Sequence, residues 1–239
     1  MSALLRFIGV ASVGCAVLSS ASCESPTVPP RDEAYSFVFE GLGERLIYRW
    51  PDGEKIGVYV VPTTVSERAG VLEAAFRHTA RVWNEASLYG EYEIVSSSLR
   101  EADVVLAWAN EPLPLDTSEC PPFPSGAAWT TFCSDDAFEE IEAYPLLEGE
   151  HAQDGVHMIV QVLPSPTNIQ IADALVAHEF GHVLGIGIHP CDLNDAGCSR
   201  RVGAFESLMF AGVPTQSTPS AADRETIEML YHTEPDLTP

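Results

Sequence analysis

The stretch His178-Glu179-Phe180-Gly181-His182-Val183-Leu184-Gly185-Ile186-Gly187-Ile188-His189 decides how the rest of this sequence is read. An α-helix turns ~100° per residue, so residues four apart share a face. On a helix, His178 and His182 stand one above the other, and two imidazoles so placed can grip one metal ion. Glu179 is the neighbour in sequence, with a carboxylate in reach of a water on that ion. Gly185 ends the helix, because glycine tolerates the left-handed backbone that turns the chain away. Zinc suits such a site: it takes neutral imidazole and imposes no geometry of its own. A catalytic zinc needs a third protein ligand and an open fourth position, so the residues after His182 matter most. Ile188 has no donor atom. His189 has one, and Gly187 gives the backbone freedom to present it. Asp192 and Glu206 are carboxylates further along the chain that could take the place.

This pattern resembles that of the metzincin metallopeptidases, H-E-x-x-H-x-x-G-x-x-H followed by a Met-turn. His178, Glu179, His182 and Gly185 match position for position, whereas the family's third histidine falls on Ile188 and His189 comes one residue late. Ser207-Leu208-Met209-Phe210 resembles the Met-turn, which runs beneath the metal. Ser220-Ala221-Ala222-Asp223-Arg224, continuing to Leu230-Tyr231, resembles the final helix of the matrixins, the matrix metalloproteinase branch. Residues 55–61, a helix ending at Trp83-Asn84, and Ala102-Asp103-Val104-Val105 follow the matrixin order of first strand, first helix and later strand. The resemblance spans residues 54–232.

The resemblance implies an α+β, zincin-like domain of two lobes, a twisted mixed sheet with the active-site helix and a lower part holding the C-terminal helix. It implies one catalytic Zn²⁺ on His178, His182 and His189, with Glu179 as general base and then acid, and Met209 as the floor. The implied activity is that of a zinc-dependent endopeptidase acting on a protein or peptide, which lies extended along the edge strand of the sheet. Residues 126–132, or the stretch near His157, hold that edge position. Two rivals keep the fold: an inactive peptide-binding surface module, and a zincin with a carboxylate as third ligand. The sequence departs from the family in having no cysteine-switch propeptide. Phe210-Ala211 follows Met209, so the tyrosine that some metzincins place two residues after the methionine is absent, and oxyanion charge must rest on zinc and backbone donors.

Hydrophobic periodicity places these motifs. Residues 36–40 and 45–50 read as short strands, and 55–61, 92–96, 103–108 and 155–163 as further strands. Residues 66–85 read as a helix, with Val71, Leu72, Ala75, Phe76, Thr79, Val82 and Trp83 on one face. Residues 169–184 read as a second helix. A last helix over 219–231 has Thr218 as N-cap and Pro219 at its first position.

The chain has 239 residues, 46% hydrophobic, with 12 Lys+Arg against 35 Asp+Glu and a net charge of −23. Lys55 is the single lysine. That balance argues against nucleic acid as a partner, since phosphate binding needs a basic patch. It argues equally against electrostatic docking on anionic lipid. A monomer is expected.

Residues 1–22 read as an export signal: Arg6, an apolar run over 7–18, then small residues before Cys23. Ser20-Ala21-Ser22-Cys23 resembles a bacterial lipobox with serine where leucine is usual. Acylation of Cys23 leaves Cys120, Cys133, Cys191 and Cys198, an even set for an oxidising compartment. Ordinary signal-peptidase cleavage is the alternative. Residues 23–35, with Pro26, Pro29 and Pro30, read as a tether, and residues 36–239 as the domain. The expected location is therefore outside the cytoplasm, either lipid-anchored at a bacterial envelope or secreted. The four late cysteines pair most simply as Cys120–Cys133 and Cys191–Cys198, among three possible connectivities. A bridge from Cys191 to Cys198 would stiffen the loop that carries His189.

Three further features have milder readings. His151, Asp154 and His157 are spaced as a second metal site would be, but polar residues at a loop-to-strand junction is the preferred account. Glu139, Glu140, Glu142, Glu148 and Glu150 offer oxygen ligands for Ca²⁺, with a solvated loop preferred. His78 and His232 read as ordinary surface histidines.

Overall fold

The computed structural model describes residues 39–41, 44–114, 126–132, 156–187, 189, 206–212, 214–236 and 238. Two short strands, β1 (Phe39–Gly41) and β2 (Glu44–Leu46), pair antiparallel. The main sheet holds β3 (Glu54–Val60), β4 (Tyr92–Ser96), β5 (Val104–Trp108), β6 (Ala128–Phe132) and β7 (Met158–Val162), in the order β4-β3-β5-β7-β6. Its neighbours run parallel except β6, which is antiparallel to β7 and forms one edge. Among the described residues four helices accompany it: α1 (Val71–Asn84), α2 (Pro166–Gln170), α3 (Ala172–Val183) and α4 (Ala221–Tyr231). The chain is thus α+β with a mixed sheet, as expected.

Strands β5 and β7 are buried at every position, which is why they read as unbroken apolar runs rather than alternating ones. Val104, Leu106, Trp108, Met158, Val160 and Val162 join the main core. Val105 and Ile159 join a smaller cluster with Val156. On the main-core face, α1 packs with α3: Phe76 and Phe180 lie 6.1 Å apart between ring centroids, and the Trp83 indole donates to the Ala177 carbonyl at 2.8 Å. α3 is buried almost all round, so it is a core helix and not an amphipathic one.

Three helix boundaries differ from the sequence expectation. α1 begins at Val71 rather than at 66, because Gly70 takes a φ of +73° and the residues before it form a 3₁₀ turn, Ser66–Arg68. The apolar stretch at 169–184 belongs to two helices. Ser165 caps α2 through the Asn168 amide with Pro166 in its first turn, and Ile171 (φ −113°, ψ 20°) breaks it from α3. The last helix is capped by Ser220, not Thr218: Ser220 and Asp223 form a reciprocal capping box, which supplies two of the amide groups with acceptors. In the N-terminal part, 45–50 is strand only as far as Leu46.

Among the described residues, no helix is long and apolar enough to cross a membrane. Cys23 and the tether, the four late cysteines, Asp192, His151, Asp154 and the acidic run from Glu139 to Glu150 lie outside the described residues.

Candidate metal centre

The site is built at the C-terminal end of α3. The helix ends in a Schellman motif: the Gly185 amide donates to the His182 carbonyl at 3.0 Å and the Ile186 amide to the Gly181 carbonyl at 2.9 Å. Gly185 has φ +110°, and a Cβ there would overlap the Tyr48 carbonyl oxygen. Glycine is required at 185 on both counts. The Trp50 indole then takes the Val183 carbonyl at 2.8 Å. The end of the helix is therefore fixed, which fixes the path towards His189.

His178 and His182 share one face of α3, and His189 comes back to meet them. The Nε2 atoms of His178 and His189 are 3.1 Å apart, and those of His182 and His189 are 3.3 Å apart. A tetrahedral zinc with bonds of ~2.0–2.1 Å holds its ligand nitrogens ~3.3 Å apart. These three residues are the metal-competent group among the described residues. The extra residue before His189 does not keep it from the site.

The donor chemistry agrees with the spacing. His178 Nδ1 lies 2.7 Å from the Leu208 carbonyl, and His182 Nδ1 lies 2.6 Å from the Ile186 carbonyl. A carbonyl can only accept, so both Nδ1 atoms carry the proton and both Nε2 atoms present a lone pair to the centre. Burial pushes the His178 imidazole below the ordinary histidine range, with the Leu208 contact acting the other way. Burial, followed by the neighbouring His178 and His189, pushes His182 well below it. Two Nε2 lone pairs aimed at one point, with His189 Nε2 brought to the same point, are a donor set that suits a cation. The residues present therefore fit a metal ion.

The ligands rest on a second layer. Met209 is fully buried and packs on Gly181, where a Cβ would overlap its sulfur. Asp223, with 0% exposure, accepts from the Ser207 hydroxyl at 2.6 Å, the Leu208 amide at 2.8 Å and the Ser220 amide at 2.7 Å. Leu208 is thus held from α4 through its amide while its carbonyl holds His178.

Glu179 is buried at 5% exposure. Burial raises its carboxyl to about 8, while a hydrogen bond from Thr130 acts to lower it. The Thr130 hydroxyl, on edge strand β6, lies 2.9 Å from Glu179 Oε2 and 3.0 Å from the Glu179 carbonyl oxygen. The sequence reading names neither Thr130 nor the anchoring work of Asp223. For Asp223 the signal was there, in the Ser220–Asp223 capping spacing; for Thr130 there was none.

The remaining candidates fall elsewhere. Glu206 is exposed and stands outside the histidine group. His157 leads into β7 with its ring edge-on to Trp50 at 5.7 Å. His78 is held by Ser217 and His232 lies against Tyr89, both away from the centre.

Fold and site together define an α+β chain with a three-histidine candidate metal centre, two of its histidines on α3 and the third beyond the helix end. No family model and no curated protein matches the chain. Two solved structures of myroilysin are similar. One has 16% identity over 78% of this chain and 96% of that one, with a TM-score of 0.38. The other has 15% identity over 85% and 96%, with a TM-score of 0.41. A likeness at those scores decides nothing about this chain, and the site stands on its own geometry.

Proposed function

We propose that the chain is an exported zinc-dependent endopeptidase of the metzincin kind. The observation that carries this is the convergence of three imidazole Nε2 atoms beside a buried glutamate. In this reading His178, His182 and His189 hold the zinc. Zinc held there supplies a Lewis acid that polarises a carbonyl oxygen and brings the pKa of water towards neutrality. A cation on the adjacent histidines favours the ionised form of Glu179. Glu179 takes the proton of the attacking water and delivers it to the amine nitrogen of the departing peptide. β6 pairs with β7 alone among the described strands. Its outer edge suits an extended peptide, which would dock by main-chain hydrogen bonds.

Export with lipid on Cys23, or by ordinary cleavage before it, belongs to the same proposal. So does the absence of nucleic-acid partners.

The test is cleavage of a denatured protein and of a peptide mixture by the zinc-loaded full-length protein. Fragments should appear, disappear on chelation and be absent with Glu179→Gln. Stoichiometric zinc with no cleavage of any substrate would favour the peptide-binding module instead.

A further inference from the structure

We propose that Thr130 is a positioning residue for Glu179, holding its carboxylate in the orientation from which it acts as base. The proposal rests on the peptidase reading above and adds a residue to it. The Thr130 hydroxyl lies 2.9 Å from Oε2 of Glu179 and 3.0 Å from that residue's own carbonyl oxygen. A hydroxyl has one proton, and both acceptors belong to Glu179. Whichever of them takes it, the bond ties β6 to the turn of α3 that carries His178 and His182.

Glu179 needs such a tie. A glutamate has three rotatable side-chain bonds, and in water its carboxylate is oriented by solvent. Glu179 is 5% exposed, and among the described residues its side chain has no other hydrogen-bond donor than Thr130. With Oε2 held, Oε1 carries no hydrogen bond among those residues and is the oxygen left to receive a proton. The donor is itself well placed. Threonine is β-branched and restricted at χ1, and Thr130 sits mid-strand in register with Val160 of β7. A group displaced by ~1 Å from its productive geometry can cost ~100-fold in rate.

The strand also supplies its own comparison. Thr131 is next in sequence, so its side chain lies on the opposite face. Its hydroxyl is buried without a hydrogen-bond partner among the described residues. Removing either hydroxyl perturbs the same strand, but only Thr130 touches Glu179.

The experiment compares zinc-loaded full-length wild type with Thr130→Val, Thr130→Ser and Thr131→Val. Thr130→Val should lower kcat by ~10- to 100-fold with KM nearly unchanged, the signature of a group that matters after substrate is bound. Thr130→Ser should restore kcat, and Thr131→Val should leave it alone. Zinc content and resistance to a competing chelator should be equal in all four. The second readout is the ¹³C carboxyl resonance of Glu179 in the zinc-loaded protein, assigned by its loss in Glu179→Gln. It should move in Thr130→Val, return in Thr130→Ser and hold still in Thr131→Val. If Thr130→Val does not fold, Thr130→Ala removes the same hydroxyl and is read in the same way. Unchanged kcat and an unmoved resonance in the hydroxyl-less variant would overturn the proposal while leaving the peptidase reading intact. Zinc-loaded wild type that cleaves nothing would overturn the peptidase reading and this role with it, even where the resonance moves.

Discussion

Met209 fills the space that a side chain at position 181 would need: a Cβ on Gly181 would overlap its sulfur and stand 3.2 Å from Trp83 Cζ2. The glycine just before the second histidine is therefore a packing requirement, with the turn at 207–209 pressed against α3 from below. Alanine in a helix interior ordinarily gains ~0.5–1 kcal/mol over glycine. Here the overlap should outweigh that gain, and Gly181→Ala should lose about 1–3 kcal/mol. Urea unfolding measures it, and a more stable variant would mean that Met209 is free to move aside.

Asp223 should matter to the metal centre without touching it. It accepts from Ser207 and from the Leu208 amide, and the Leu208 carbonyl holds His178. Asp223→Asn replaces one buried acceptor oxygen with an amide that meets other donors. Hydrogen bonds to a charged group are worth ~1.5–3 kcal/mol each, so a loss of about 2–4 kcal/mol is expected. Zinc should also be surrendered to a weaker chelator than wild type requires. Ser220→Ala serves as the comparison: it removes a cap worth ~1 kcal/mol and should leave zinc retention close to wild type.

Gly185→Ala should be worse than either. It combines a φ of +110° with overlap on the Tyr48 carbonyl. Strain of ~1–3 kcal/mol from the backbone alone adds to that overlap. The variant should unfold at markedly lower denaturant and retain less zinc, because the path to His189 begins there. Wild-type stability would show that the segment around Tyr48 yields.

Glu179→Gln should abolish cleavage by ~10²- to 10⁴-fold while zinc stays bound. Burial disfavours the charged carboxylate at this position. A neutral amide escapes that penalty, so the metal-free variant should be at least as stable as metal-free wild type. Thermal unfolding in chelator tests this, and a clear loss of stability would point to a structural role for the carboxylate.

Much of this site was legible because its chemistry is local. Two histidines four apart, a glutamate beside them and a helix-ending glycine lie within one short stretch, and helical geometry alone brings the imidazoles together. The parallel strands β3, β4, β5 and β7 were legible too, from alternation or from apolar runs, whereas β6 lies in a stretch that reads as loop-rich and entered only as one of two edge positions implied by the resemblance. His189 was named, and so was the helix-ending glycine before it, Gly185, whose φ is +110°. Contacts between distant segments left no trace. Thr130 meets Glu179 from 49 residues away, and Trp50 caps Val183 across 133. Helix boundaries slipped where apolar periodicity runs on through a stop, as it does across Gly70 and Ile171. Pro219 drew the last cap two residues early, because Ser220 and Asp223 satisfy the helix end better than Thr218.

The central claim is that three histidines, the last displaced by one residue, hold a single metal. The most direct measurement is zinc content of the purified full-length protein beside His189→Ala and Glu206→Ala. The account predicts one zinc per chain in wild type and in Glu206→Ala, and little in His189→Ala. Full zinc in His189→Ala would contradict it and move the third ligand elsewhere. No zinc in wild type would remove the metal centre altogether.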